Sequence, residues 1–329
     1  MNMNLVYLYL LSPLHTGGTT QEGNLLGIAR ESHTDLPYIP SSTIRGRLRA
    51  SVSPSAEEFE PNEESAETDS VNTDDEENSL AGDASEVKRK CSPEWIVEKL
   101  KQISLFGSEI DDSKNKDLAQ AYKKAKGKNL DQLVQGDIWI GDSSILWLPV
   151  PSLSYGMVWI TCPLLLQRWA RLSGETTPIP EDDEHYYVTP DLAKGKPIYL
   201  KDCILEAEHL TLWEDWNKFI PKADYTRSIS KVILLPNQDC ATLIQMSLWR
   251  QVKVKLDEHK SVKDGSFRYE EAISPDTLMY FSWGVTSQVN GSSNQSETDF
   301  KELLEQQDVV QIGGQESLGR GFVNIWAAS

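Results

Sequence analysis

An apolar run from Leu5 to Leu11 gives way at Pro13 to a loop carrying His15 and the Gly17-Gly18 pair, after which the chain turns basic at Arg45, Arg47 and Arg49. The run reads as a buried strand. Ser41-Ser42-Thr43 supplies an N-cap ahead of the basic segment, so a helix starts there and sets Arg45 and Arg49 one turn apart on one face. A strand followed by a glycine-bearing loop and a cationic helix face is a grip for a phosphate backbone.

The overall charge argues the other way. With 50 Asp and Glu against 32 Lys and Arg the net charge is −18, and phosphates need cations. The location of the acid resolves this. Between Glu57 and Glu86 there are 13 Asp and Glu and no Lys or Arg, which leaves 37 acids against 32 bases elsewhere, a net of −5. Residues 52 to 88, rich in Ser, Glu, Asp and Asn, read as a solvated, disordered insertion; mimicry of phosphates, or repulsion of nucleic acid from one face, is the other reading. The remaining sequence, in a chain of 329 residues with 10 Trp, can bury a large core. Cys91, Cys162, Cys203 and Cys240 are far apart in sequence, without a CxxC pair or a His at ligand spacing, so reduced thiols are expected in place of a zinc site or disulfides. There is no basic n-region, and no apolar run approaches ~18 residues, so the expectation is a cytoplasmic protein with no membrane partner.

Further along, Ser92, Pro93 and Glu94 form a helix start for residues 92 to 106, with Ile96, Leu100 and Ile103 at helical spacing. Lys114 to Lys128 is either a solvated face or a basic loop facing nucleic acid. Asp137 to Trp147 alternates like a strand that Pro149 and Pro151 break, and Trp159 is expected in the core. From Gly174 to Asp224 no chemistry is assigned, although Ile204 to Leu212 could be a strand; His185 and His209 have no evident partners. Thr242 to Trp249 reads as a short helix, and Val252–Leu256 and Ser266–Tyr269 flank an Asp264-Gly265 turn, the signature of a hairpin over residues 250 to 275. Gly313, Gly314, Gly319 and Gly321 surround Arg320 just before a strand, Phe322 to Trp326.

These blocks together resemble the RAMP superfamily of CRISPR-associated proteins, and within it the repeating backbone subunits of type III-B (Cmr) RNA-guided effector complexes. The resemblance rests on Leu14-His15-Thr16-Gly17, Arg30-Glu31-Ser32-His33-Thr34, Pro37-Tyr38-Ile39-Pro40, Ser41-Ser42, Arg45-Gly46-Arg47-Leu48-Arg49, the turn Phe106-Gly107-Ser108, the block from Asp137 to Trp169 and the terminal glycine-rich loop. Pro151 stands where that family usually has a basic residue. The resemblance implies an α+β fold, a single RRM-like, ferredoxin-type domain over residues 1–329 with insertions and a projecting β-hairpin thumb. It also implies crRNA and target RNA as partners, other effector subunits, and head-to-tail self-association along the guide, whose duplex with target the thumb kinks. RNA contacts are expected from Ser41, Ser42, Arg45, Arg49, Lys253, Lys255 and Arg268, and from Gly313, Gly314, Gly319, Arg320 and Gly321, where glycines let the backbone approach phosphates.

The resemblance also implies target-RNA cleavage that depends on a metal such as Mg²⁺ and an Asp after the Leu-His-x-Gly motif. Here that segment is Gly23-Asn24-Leu25-Leu26-Gly27, with no Asp between Gly17 and Arg30. Leucine neither holds Mg²⁺ nor orients a hydroxyl. The expected function is therefore a guide-binding backbone subunit that does not cut; the alternative is an endoribonuclease using His15, a displaced Glu22 and Glu270.

Overall fold

The computed structural model describes residues 3–22, 25–52, 91–131, 133–262, 265–286 and 293–328. In chain order the strands are β1 (Asn4–Leu10), β2 (Gly17–Glu22), β3 (Leu25–Ile28), β4 (Tyr38–Ile39), β5 (Ile138–Ile140), β6 (Ser143–Ser152), β7 (Gly156–Thr161), β8 (Tyr186–Val188), β9 (Ile198–Tyr199), β10 (Ile204–Leu205), β11 (Leu210–Leu212), β12 (Val232–Leu234), β13 (Trp249–Lys253), β14 (Arg268–Ala272), β15 (Leu278–Val285), β16 (Val309–Gln311) and β17 (Phe322–Ala327). The helices are α1 (Ser41–Ser51), α2 (Pro93–Phe106), α3 (Lys116–Lys126), α4 (Pro163–Ser173), α5 (Asn237–Met246) and α6 (Ser293–Glu305). They form two compact units, Met1–Leu48 with Ile138–Ser329, and Arg49–Asp137. Almost all of the acidic insertion lies outside the described residues, as do Lys263 and Asp264 of the expected hairpin turn.

In the first unit the main sheet runs β11-β8-β12-β7-β6-β15-β1-β17-β16, with β4 also on β6 and β5 on β15. β1 is apolar without alternation because both of its faces are covered. Tyr7 and Tyr9 join Trp147, Trp159, Trp169 and Phe219 in one core. On the other face Trp283 of β15 packs on Phe300 of α6, with ring centroids 4.6 Å apart. Each neighbouring pair in the central run β17-β1-β15-β6 is antiparallel, with α1 between β1 and β6 in sequence and α6 between β15 and β17.

Pro149 and Pro151 do not end their strand. β6 runs through both, paired with β7, while its ladder with β15 stops at Trp147, so the missing N–H groups leave no partner unsatisfied there. α5 begins at Asn237, directly after Pro236, five residues before the expected start. The Ile204–Leu212 stretch splits into β10 and β11, separated by a 3-10 turn.

In the second unit α2 starts as its sequence dictates: the Ser92 side chain accepts a hydrogen bond from the Trp95 N–H at 3.2 Å, with Pro93 in the first turn. It stops at Gly107, whose φ of +86° and position against the Val134 carbonyl, 2.4 Å from where a Cβ would stand, admit only glycine. α3, unforeseen in the lysine-rich stretch, is capped by Asn115 and buries Leu118 and Tyr122 against Ile103 and Leu130. Its lysines lie on the opposite, exposed face. Among the described residues no helix is long and apolar enough to cross a membrane.

Candidate nucleic-acid interface

A second, four-stranded sheet, β13-β14-β3-β2, carries Glu22, Lys253, Arg268 and Glu270 of the expected site. β14 runs parallel to β3, placing Tyr269 beside Leu25 and Glu270 beside Leu26. Leu25 and Leu26, in the segment where the resemblance leads one to expect an Asp, thus lie directly alongside Tyr269 and Glu270. Adjacent positions of β14 point to opposite faces, and each face is latched differently.

On one face Glu270 meets Lys253 at 2.8 Å and Arg320 at 3.0 Å. Burial alone would raise its pKa, but the two cations outweigh burial and hold the carboxyl below its ordinary range. Arg320, only 4% exposed, lies 4.5 Å over the Trp249 ring and donates to Gln315 and Gln251. Its guanidinium is thereby committed inside the protein. On the other face the buried Glu271 accepts from Arg30 Nη2 and Arg250 Nε, both at 2.9 Å. Arg30 also reaches Gln245 of α5, and both carboxylate oxygens of Glu31 accept from Arg168 Nη1 of α4, at 2.8 and 2.9 Å. The Arg-Glu-x-His-Thr motif is therefore a clasp joining the 30–35 loop to two helices and to β14.

His15 lies between the sheet and the glycine-rich loop, 5% exposed. Its Nδ1 is 2.8 Å from the Glu271 carbonyl, which can only accept, so Nδ1 carries a proton and donates there. The Gly314 N–H donates to the His15 carbonyl at 2.8 Å. A Cβ on Gly313 would stand 2.5 Å from that carbonyl, and one on Gly321 would stand 2.0 Å from the Ile312 carbonyl. At these two positions glycine is required by the chain's own packing, whereas Gly319 has open space around it.

Mg²⁺ does not fit the described side chains. Glu270 and Glu271 each carry two cations at ion-pair distance already, leucines occupy the neighbouring strand, and the described residues include no group of three ligating side chains. Glu22 closes β2 opposite Leu25, and its side chain lies outside the described set.

The hairpin is two-faced. Lys253 sits opposite Arg268, and Lys255 is linked to Ser266 by hydrogen bonds of 3.2 and 3.1 Å. Val252 sits opposite Tyr269 and Leu256 opposite Val262; with Val254 and Phe267 these six apolar side chains are between 42% and 52% exposed. The lysines alone drew notice in the sequence. The intervening valines and aromatics, at a period of two, are the signal for the apolar face.

A family model described as the RAMP superfamily matches residues 7–324. The chain belongs to that superfamily. It is 25% identical, over 99% of its length and 95% of the relative's, to the CRISPR system Cmr endoribonuclease Cmr4 of Pyrococcus furiosus. A crystal structure of Cmr4 superposes with a TM-score of 0.61 at 21% identity, covering 99% of this chain and 98% of that one. A subunit in the cryo-EM structure of the type III-B Cmr-beta complex bound to cognate target RNA gives 0.64 at 14%, covering 100% and 98%.

The remaining expected residues of this RAMP protein have partners or surroundings of their own. Ser41 opens α1, its N–H donating to Asp142 at 2.7 Å, with Ser42 exposed beside it. Arg45 donates to the Ile138 carbonyl at 3.3 Å. Arg49 is held within the second unit by Glu109 at 3.2 Å and the Phe106 carbonyl, beside the buried Lys99–Asp112 pair. His185 and His209, without evident partners in sequence, face each other 6.4 Å apart, with Asp182 2.6 Å from His185. The Cys162 and Cys240 thiols hydrogen-bond to each other; that bond lowers the Cys162 pKa, while burial foremost raises that of Cys240.

Proposed function

We propose that this chain is a guide-RNA-binding backbone subunit of a type III-B RNA-targeting effector complex, with a ferredoxin-type core and the β13–β14 hairpin as its thumb. The core reading is supported by the β17-β1-β15-β6 order and its two crossover helices. The observation that carries the function is the two-faced hairpin: a cationic face for phosphates, and an apolar face that needs a cover of base edges or a neighbouring copy. Lys255 and Arg268 are its RNA contacts, aided by Ser41, Ser42 and Arg45 at α1 and by the open loop at Gly319. Head-to-tail stacking along the guide agrees with the oligomeric crystal form of the Pyrococcus furiosus relative and with heterologous interfaces in general.

The subunit binds, and by its thumb bends, the guide–target duplex without cutting it. A cut in this site would require Glu270 to give up Lys253 and Arg320. The test is guide-RNA binding across a salt series. Lys255→Glu with Arg268→Glu should lower the slope of log K against log salt by about 1.4, two phosphate contacts at about 0.7 each. An unchanged slope would remove the hairpin from the interface.

A further inference from the structure

A cavity of about 1180 Å³ opens in the first unit, lined by Tyr7 of β1, Trp169 of α4, Trp326 of β17 and the 216–230 segment, sharing no residue with the hairpin interface. Its floor is aromatic: Tyr7 and Trp326 have ring centroids 5.5 Å apart, and Trp169 Nε1 donates to the Tyr7 hydroxyl at 3.0 Å. Trp216, half-buried on a 3-10 turn, lines the wall and makes no ring contact among the described residues.

The polar groups around it divide by type. Glu175 already accepts from the Thr176 and Thr177 amides and the Thr177 hydroxyl. Asp224 pairs with Arg227, and Lys218 pairs with Asp215. Without a partner among the described residues are three donors, Trp216 Nε1, Trp326 Nε1 and the Lys222 ammonium, together with the Asn217 side-chain amide and the Ser230 hydroxyl, which can each donate and accept. A flat ligand that carries acceptors and a negative charge would meet the two indole N–H groups and the Lys222 ammonium, with Asn217 and Ser230 able to answer either its acceptors or its donors.

We propose that this cavity takes an unpaired nucleotide of single-stranded RNA, its base against Trp216 and its phosphate on Lys222. Aromatic platforms rimmed by cations are the general chemistry of single-strand binding. The volume exceeds the roughly 300–1,000 Å³ of small-molecule clefts, which leaves room for flanking backbone. The inference rests on the RNA-binding reading and adds a second contact region to it.

The experiment is photo-crosslinking of the full chain to a single-stranded oligouridylate containing 5-iodouridine, with crosslinked peptides mapped by mass spectrometry. A crosslink at Trp216 or Trp326 is expected, and Trp216→Ala should weaken binding about tenfold. Because Trp216 also touches the core, the exposed Lys222→Glu serves as a second variant and should lower the salt slope by about 0.7. Crosslinks confined to residues 249–272, with Lys222→Glu silent, would overturn the cavity proposal and leave the RNA-binding reading standing. Absence of any crosslink would overturn both.

Discussion

Replacing Arg320 with Ala should destabilise the protein by about 3 kcal/mol. Arg320 is 4% exposed, 3.0 Å from Glu270 and 4.5 Å above Trp249. Removing one partner of a buried ion pair costs about 3–5 kcal/mol because the other charge is stranded. Here Lys253, 2.8 Å from Glu270 but with a third of its side chain in solvent, still compensates part of that charge and brings the figure to the low end. Loss of the contact with Trp249 adds about 1 kcal/mol, which makes ~3 kcal/mol a lower bound on a sum of ~4 kcal/mol. Urea unfolding followed by circular dichroism measures it. The double variant with Glu270→Gln should lose less than the sum of the two singles.

The pH dependence has a fixed sign. Glu270 has its folded pKa depressed, so its contribution is fully present above the unfolded value of about 4.3 and lost as pH falls through the lower folded value. The gap between wild type and Arg320→Ala should therefore shrink below pH ~4. An Arg320→Ala protein within ~0.5 kcal/mol of wild type whose RNA salt slope has fallen by about 0.7 would refute the reasoning, since the guanidinium would then be reaching a phosphate.

Gly321→Ala should cost at least about 2 kcal/mol and Gly319→Ala about 1 kcal/mol, both by urea unfolding, because each has a positive φ but only Gly321 has a carbonyl 2.0 Å from the added methyl. Arg49→Glu puts a third carboxylate beside Glu109 and Asp112 and should loosen residues 91–131 by about 3 kcal/mol, read as faster amide exchange there with the sheet of the first unit unchanged. Leu26→Asp adds a carboxylate next to Glu270; target cleavage in Mg²⁺ by the assembled complex should appear only when Arg320 and Lys253 are also neutralised, and gel sizing of the products checks this.

Much of this was legible because local chemistry and tertiary context agree. β1 is apolar throughout because it is buried on both faces, and α2 carries its own cap, first-turn proline and terminal glycine. Where context decides, sequence fell short. The prolines of β6 looked like breakers because nothing local says which edge of a strand has lost its neighbour. α3 was hidden by its lysines, whose buried counterpart is only Leu118 and Tyr122. Arg320 and Arg49 read as phosphate contacts, since a carboxylate partner far away in the chain, such as the buried Glu270 or the exposed Glu109, leaves no trace beside them. Gly313 and Gly321 read as glycines that let the backbone approach RNA phosphates, and the groups packed against them are the chain's own carbonyls. The clasp of Arg30 and Glu31 was visible as a motif, but its job depends on Arg168, Gln245 and Glu271, which only folding brings near.

The central claim is a subunit that grips RNA without cutting it, and the most direct measurement is target-RNA integrity after incubation of the reconstituted complex with guide and Mg²⁺. The account predicts stably bound, intact target. A ladder of regularly spaced cuts, abolished by His15→Ala or Glu22→Gln, would contradict it.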